Sequence, residues 1–237
     1  MEASISYSVD LIIRLIDTTT GYPVTERQVI FAEDGVPVAF LGKGDGVYVG
    51  MNMGKTDREL RVKVKGYLET DFSVIYADML GRYPEVLVYL IPEIPSYGFT
   101  NILELKGNLS GIESIDAVSL TDPYGKAQAY QPQKQQMKLL DSKKLTERAY
   151  ALLHEEPESF EEFHIYPAKN KQILKLKDPL LTECKPEEIV TRIIRGKTWE
   201  SGNYTLRVRG DGRGTDYLVR YVVNGQTEFK RIVFDDN

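Results

Sequence analysis

Alternation of apolar and polar residues dominates the chain. In Leu60-Arg-Val-Lys-Val-Lys65, Leu60, Val62 and Val64 fall on one face of an extended strand, with Arg61, Lys63 and Lys65 on the other. This period of two predicts an antiparallel strand with one wet face. Residues 9–16, rich in β-branched side chains, predict a strand that ends at the turn Asp17-Thr-Thr-Thr-Gly21. Residues 29–31, 38–41, 47–49, 72–76 and 85–91 supply further runs, punctuated by Gly35, Pro37, Gly42, Gly44 and Gly46. Short strands at this spacing predict a sandwich.

Pro92-Glu-Ile-Pro95-Ser-Tyr-Gly98 interrupts the pattern, since two prolines and a glycine stop a strand and stiffen a crossing. It predicts a first domain over 1–92, a linker over 93–98 and a second domain over 99–237. In the second half, residues 102–106 and 115–120 flank the turn Gly107-Asn-Leu-Ser-Gly111. Residues 128–136 carry five glutamines and predict an exposed connection. Leu145, Ala149, Leu152 and Leu153 fit one face of a short helix, with Ser142 as its N-cap. Residues 155–162 hold five glutamates and a proline, the composition of a solvated loop. Together these predict an exposed insertion around 126–170. The chain then returns to strands at 173–176, 190–194, 204–209, 217–223 and 228–234, and Val223-Asn-Gly-Gln226 is a strong hairpin signal. The predicted fold class is all-β: two sandwich-like antiparallel β domains, with a short helix in the second.

Composition narrows the class. Of 237 residues, 42% are hydrophobic and 27% charged, which excludes a chain that is disordered throughout. A net charge of -5 argues against a protein that coats nucleic acid. The single cysteine, Cys184, excludes an internal disulfide framework. No run approaches the ~18 apolar residues of a spanning helix. The N-terminal residues carry Glu2, Asp10, Arg14 and Asp17 where a secretory signal would be basic and then apolar. The expectation is a soluble protein made in the cytoplasm without a signal peptide, including as part of a virion or tail-like particle.

Four short stretches carry a recognisable order: Leu15-Ile-Asp17 leading into Thr20-Gly-Tyr-Pro-Val24, then Val29-Ile-Phe31, Gly46-Val-Tyr-Val49 and Val62-Lys-Val-Lys-Gly-Tyr67. With these, residues 9–76 resemble a transthyretin-like sandwich of the carboxypeptidase regulatory-like group. The resemblance implies a β-sandwich over less than a third of the chain. Domains of this kind serve in adhesins, as enzyme accessory domains and as phage or injection-machine parts. The group shares no active site, so the resemblance implies no catalytic residues.

Candidate chemistry is sparse. Gly50-Met-Asn-Met-Gly-Lys-Thr56 has three residues between its glycines where a phosphate loop needs four, and a strand rather than a helix follows. Arg209-Gly-Asp211 lies in a glycine-rich turn, whose residue types turns favour anyway. His154 and His164 form no short metal-ligand pair and are expected to be solvated or at an edge. Cys184 becomes a nucleophile only with a histidine beside it in space. Asn108-Leu-Ser110 and Asn203-Tyr-Thr205 match the glycosylation pattern, which matters only in a secretory compartment. No cofactor and no metal are expected.

The last third of the chain gathers arginines. Arg207, Arg209, Arg213 and Arg220, with Tyr217, are the candidate interface, since complementary charge steers docking and fixes register. The expectation is a non-enzymatic structural or interaction protein with protein partners in a homo- or hetero-oligomer, such as a subunit of a phage-tail-like or contractile injection particle. The alternative is a carbohydrate- or cell-surface-binding module, for which glycan would be the ligand. A second alternative is a hydrolase using Cys184 or paired carboxylates.

Overall fold

The computed structural model describes residues 8–25, 28–79, 84–93, 102–140, 142, 149–154, 158–166, 172–209 and 215–234, with the side chains of residues 78, 209 and 215 excepted. The chain separates into two compact units, Met1–Gly98 and Phe99–Asn237. Both are made of strands arranged in sandwich-like sheets, the all-β class that alternation predicts.

The first unit contains β1 (Val9–Asp17), β2 (Val29–Glu33), β3 (Val36–Val38), β4 (Leu41–Gly44), β5 (Val47–Met51), β6 (Arg58–Val64), β7 (Thr70–Val74) and β8 (Glu85–Leu90). They form two four-stranded sheets, ordered β4-β5-β1-β8 and β3-β2-β6-β7. β8 lies parallel to β1, and the remaining pairs are antiparallel. The inward residues alternate as read: Leu60, Val62 and Val64 of β6 pack with Leu11, Ile13 and Leu15 of β1 and with Val88 and Leu90 of β8. The β2–β3 and β4–β5 hairpins close on Asp34-Gly35 and Asp45-Gly46, with positive φ at both residues of each pair. That is the type I′ geometry, whose twist matches the strands it joins. After β1, the Asp17 carboxylate accepts the Thr19 and Thr20 amides at 2.7 and 2.9 Å and the Tyr67 hydroxyl at 3.0 Å. One buried side chain therefore holds the turn and fastens Tyr67 at the core edge.

The second unit contains β9 (Ile102–Asn108), β10 (Ile112–Ser119), β11 (Gly125–Gln131), β12 (Gln136–Leu140), β13 (Ala149–His154), β14 (Ser159–His164), β15 (Ile173–Lys175), β16 (Ile189–Arg195), β17 (Lys197–Thr198), β18 (Asn203–Arg209), β19 (Thr215–Val223) and β20 (Gln226–Phe234). Nine of them make one sheet with the path β15-β12-β11-β16-β10-β19-β20; β13 pairs with β16, and β14 with β13. A second sheet has the order β17-β18-β9. Its Leu206 and Val208 pack on Ile115, Ala117 and Val219. On the other face of β10 and β19, Val118 and Leu218 meet Ala151, Leu153 and Phe160 of the β13–β14 hairpin. The middle of β10 is thus covered on both faces, and every residue from Ile115 to Ser119 is buried.

This double burial overturns three expectations. The helix placed over 145–153 is strand over Ala149–His154, with residues 143–148 outside the described set. Its Ala149–Leu153 run is buried on both faces, so it lacks the alternation that would have marked it. The glutamate-rich loop is half strand: β14 places Phe160 and Phe163 in the core. The insertion around 126–170 is exposed only in part, with residues 128, 129 and 131–134 open to solvent and others in the core. Ala127, Met137, Leu139, Tyr150 and Leu152 are all buried in one cluster, and the glutamine-rich stretch closes a hairpin between β11 and β12.

Candidate functional site

One dense polar constellation lies where the segment between β15 and β16 crosses the β13–β14 hairpin. His154, at the end of β13, is not a solvated histidine. Its Nδ1 lies 2.9 Å from Glu188 Oε1 and its Nε2 2.9 Å from Thr182 Oγ1. This is the connectivity of a hydroxyl–imidazole–carboxylate triad. The Thr182 hydroxyl, however, also makes a short hydrogen bond to Glu161 of β14. A hydroxyl has one proton, and with that proton given to Glu161 none is left to pass to Nε2. The same carboxylate accepts the Leu181 and Thr182 amides at 2.5 and 3.0 Å. Backbone donors beside a nucleophile that would hold an oxyanion are therefore already engaged. The wiring ties a crossing segment to a hairpin.

Cys184 belongs to this neighbourhood. Burial pushes its thiol up to about 11, with the nearby Glu188 and Glu161 charges adding to the effect. A thiol so rarely ionised near neutrality is a poor nucleophile. His164 is far more open and sits 3.5 Å from Glu162. A cleft of about 370 Å³ lies beside His154, floored by Leu120, Leu153 and Leu218. Its charges are paired: Lys126 with Glu187 at 3.0 Å, and Glu158 with Arg231 at 3.5 Å. Among the described residues, no cluster of three or more His, Cys, Asp or Glu is arranged to hold a metal ion.

The candidate interface does not form one basic face. Arg220 of β19 reaches Asp116 of β10 at 2.6 Å and Glu162 of β14 at 2.9 Å. Arg195 of β16 bonds the same two carboxylates and completes a four-membered cluster. Burial works against the Glu162 charge, but hydrogen bonds and positive charge from Arg195 and Arg220 outweigh it and hold the carboxyl at about 2. Arg207 of β18 lies in the other sheet, 2.8 Å from Glu104 of β9. Tyr217 is 3% exposed and packs edge-on against Phe234, which makes it a core residue. The Arg209 side chain, Arg213 and the Gly210-Asp211 of the tripeptide lie outside the described residues.

In the first unit, the Gly50–Thr56 stretch directs its Asn52, Met53 and Gly54 amides to acceptors within the protein. The Met53 and Gly54 N–H groups donate to Asp10 Oδ2 at 2.7 and 3.1 Å. The Ser8 hydroxyl, helped by these two amides, holds the Asp10 carboxyl below its ordinary range. The two glycosylation-pattern asparagines face each other across β9 and β18, with Asn108 Nδ2 2.9 Å from Asn203 Oδ1. Of the exposed large aromatics, Tyr22, Tyr166 and Trp199 lie in three different connections rather than in a row on a sheet face.

The longest open edge strand among the described residues is β20. It pairs with β19 alone, so its second side is an edge. The register runs unbroken from Thr215↔Phe234 to Val223↔Gln226, without a bulge. Thr227, Glu228, Lys230, Arg231 and Val233 are exposed. Several other edges carry protective features: β3 and β15 have three residues each, β3 contains Pro37, β17 has two residues, and β4 is bulged between Gly42 and Gly44; β7, β8, β9 and β14 are also edges but shorter, with five, six, seven and six residues against the nine of β20. Such devices blunt edges against pairing with another chain, and β20 has none of them beyond its charges. A strand edge has no sequence signature of its own, because it depends on what fails to pair. The cue available in the sequence was Asn224-Gly225, which fixed the hairpin and hence the position of its outer strand.

No family model matches the sequence, and a search of curated proteins finds no match. Among solved structures, one similar chain is a candidate cell adhesion protein from Bacteroides ovatus ATCC 8483, at 8% identity, covering 97% of this chain and 88% of that one with a TM-score of 0.21. A similarity at that level carries no functional argument. The transthyretin-like resemblance of residues 9–76 finds no support from a family or sequence match, while the sandwich architecture itself stands. Among the described residues, no helix is long and apolar enough to cross a membrane.

Proposed function

We propose that this chain is a non-enzymatic interaction protein that works as a subunit of a protein assembly through its strand edges and outer sheet surfaces. The observation that carries this reading is the nine-residue, unbulged edge of β20, which offers a ready backbone template to another strand. Two further features support it. The Thr182–His154–Glu188 constellation is wired as a fastening, and the Cys184 thiol is held away from ionisation. The assembly we favour is a phage-tail-like or contractile injection particle, with a transthyretin-like first unit. Tyr22, Tyr166 and Trp199 lie in connections rather than on a sheet face, which ranks a carbohydrate- or surface-binding module second, since glycan platforms use aromatics presented together.

The test is size-exclusion chromatography with light scattering, performed on the chain alone and together with the products of neighbouring genes. The expected result is a complex larger than 27.0 kDa. A chain that stays monomeric alone and joins no partner would overturn the reading.

A further inference from the structure

The partner that best fits the free side of β20 can be deduced from its hydrogen-bond parity and charge order, on the reading that strand edges are the working parts. The hairpin turn Asn224-Gly225 has positive φ at both residues, 50° and 74°. In a two-residue hairpin of this type, the flanking residues Val223 and Gln226 form a hydrogen-bonded pair. Counting by two from Gln226, residues 228, 230, 232 and 234 direct their backbone groups to β19. Thr227, Phe229, Arg231 and Val233 direct theirs outward. These four residues present the N–H and C=O groups that an added strand would use.

Side chains then select the register. Phe229 packs edge-on against Phe160 at 5.2 Å, while Ile232 and Phe234 pack on the opposite layer. Glu228 and Lys230 therefore share the face of Ile232 and Phe234, and both are exposed. Consider a second β20 laid antiparallel along the first. Antiparallel parity requires the two-fold axis to pass through a residue pair. An axis at 228 sets Glu228 against Glu228, one at 230 sets Lys230 against Lys230, and one at 231 sets Arg231 against Arg231. An axis at 229 sets Phe229 against Phe229 and places Glu228 opposite Lys230 of the other copy twice. Pairs 227–231, 229–229 and 231–227 then exchange outward backbone hydrogen bonds. The 228–230 pairs fall at the closer, non-hydrogen-bonded positions, where cross-strand charge pairs act most strongly.

We propose that β20 is a self-recognition edge: two copies of this chain join antiparallel through Gln226–Ile232, about a two-fold axis at Phe229, to make one sheet continuous through both. An isologous contact of this kind closes on itself and does not propagate into a fibre. The charges that guard the edge against other strands also choose the register for this one.

The experiment is sedimentation velocity of the full chain from micromolar to millimolar concentration, with Glu228→Lys, Lys230→Glu and the double variant. All three changes are on exposed positions, and thermal unfolding compares their folding with wild type. The expected result is a reversible dimer. Each single variant turns both cross-strand pairs into like-charge pairs and weakens dimerisation by about tenfold, and the double variant restores it. A dimer indifferent to the single variants, or not restored by the double, would overturn the register. A wild-type chain that is monomeric throughout would overturn self-pairing. If that monomer still enters a complex with products of neighbouring genes, the interaction reading stands and only the identity of the partner changes. If it enters none, both fail.

Discussion

At the residue scale, the molecule's charges act as fasteners. Glu162 is the clearest case, because its carboxyl sits at about 2 against an ordinary 4.5. A folded-state value below the unfolded one contributes stability that is present above about 4.5 and is lost as pH falls toward 2. The corresponding free energy is on the order of 3 kcal/mol, shared among Glu162, Arg195 and Arg220. Urea unfolding of wild type should therefore show a steep loss between those pH values. Glu162→Gln should be less stable by roughly 2–4 kcal/mol at neutral pH, because two arginines lose a carboxylate, and its acid dependence should be shallower. An unchanged acid profile would mean that Glu162 is not the group that titrates. His154 is a second fastener. His154→Ala leaves Thr182 and Glu188 without their shared partner and should cost about 1–3 kcal/mol, with faster amide exchange over the Thr182–Glu188 crossing. Sequence reading could not anticipate this: His154, Glu161, Thr182 and Glu188 are brought together by strand pairing, and no spacing announces them.

At the scale of elements, legibility followed burial geometry. Strands with one wet face, such as β6, and hairpins with an Asn-Gly signal, such as β19–β20, were readable from alternation and turn chemistry. β13 was not, because a strand covered on both faces shows only an apolar run, and Leu145, Ala149, Leu152 and Leu153 also satisfy a helical spacing. β14 was hidden for a different reason: Glu161 and Glu162 look solvated in one dimension, yet Glu161 is held by the β15–β16 connection and Glu162 by arginines of other strands. Gly196 shows how tightly the elements meet. It stands between β16 and β17, where the chain passes from the nine-stranded to the three-stranded sheet, and a Cβ there would lie 2.8 Å from Thr205 O and 2.9 Å from Ile115 O. Both obstacles are backbone, so Gly196→Ala should destabilise by about 2 kcal/mol or more in chemical denaturation. A neutral result would show that the crossing is looser than its geometry. Leu152→Ala should cost about 2–5 kcal/mol, as expected of a strand residue buried in the core.

At the scale of the whole molecule, the account rests on where free backbone remains. The second unit buries β10 and β19 from both sides, so its interior is committed to packing. In the first unit, the Met53 and Gly54 loop amides are committed to Asp10. What is left for another molecule is the rim, and β20 is its longest regular part among the described residues. The Arg-rich character of the last third, which suggested an interface, instead reports internal pairing at Arg195, Arg207 and Arg220. Hydrogen exchange followed by mass spectrometry tests the central claim most directly, with the chain compared when dilute and when assembled, whether with itself or with a partner. The account predicts that the outward amides of Thr227, Phe229 and Arg231 gain protection on assembly, while the segments around His154 and Glu162 stay as they were. Assembly that leaves residues 226–234 exchanging as fast as in the isolated chain would contradict it.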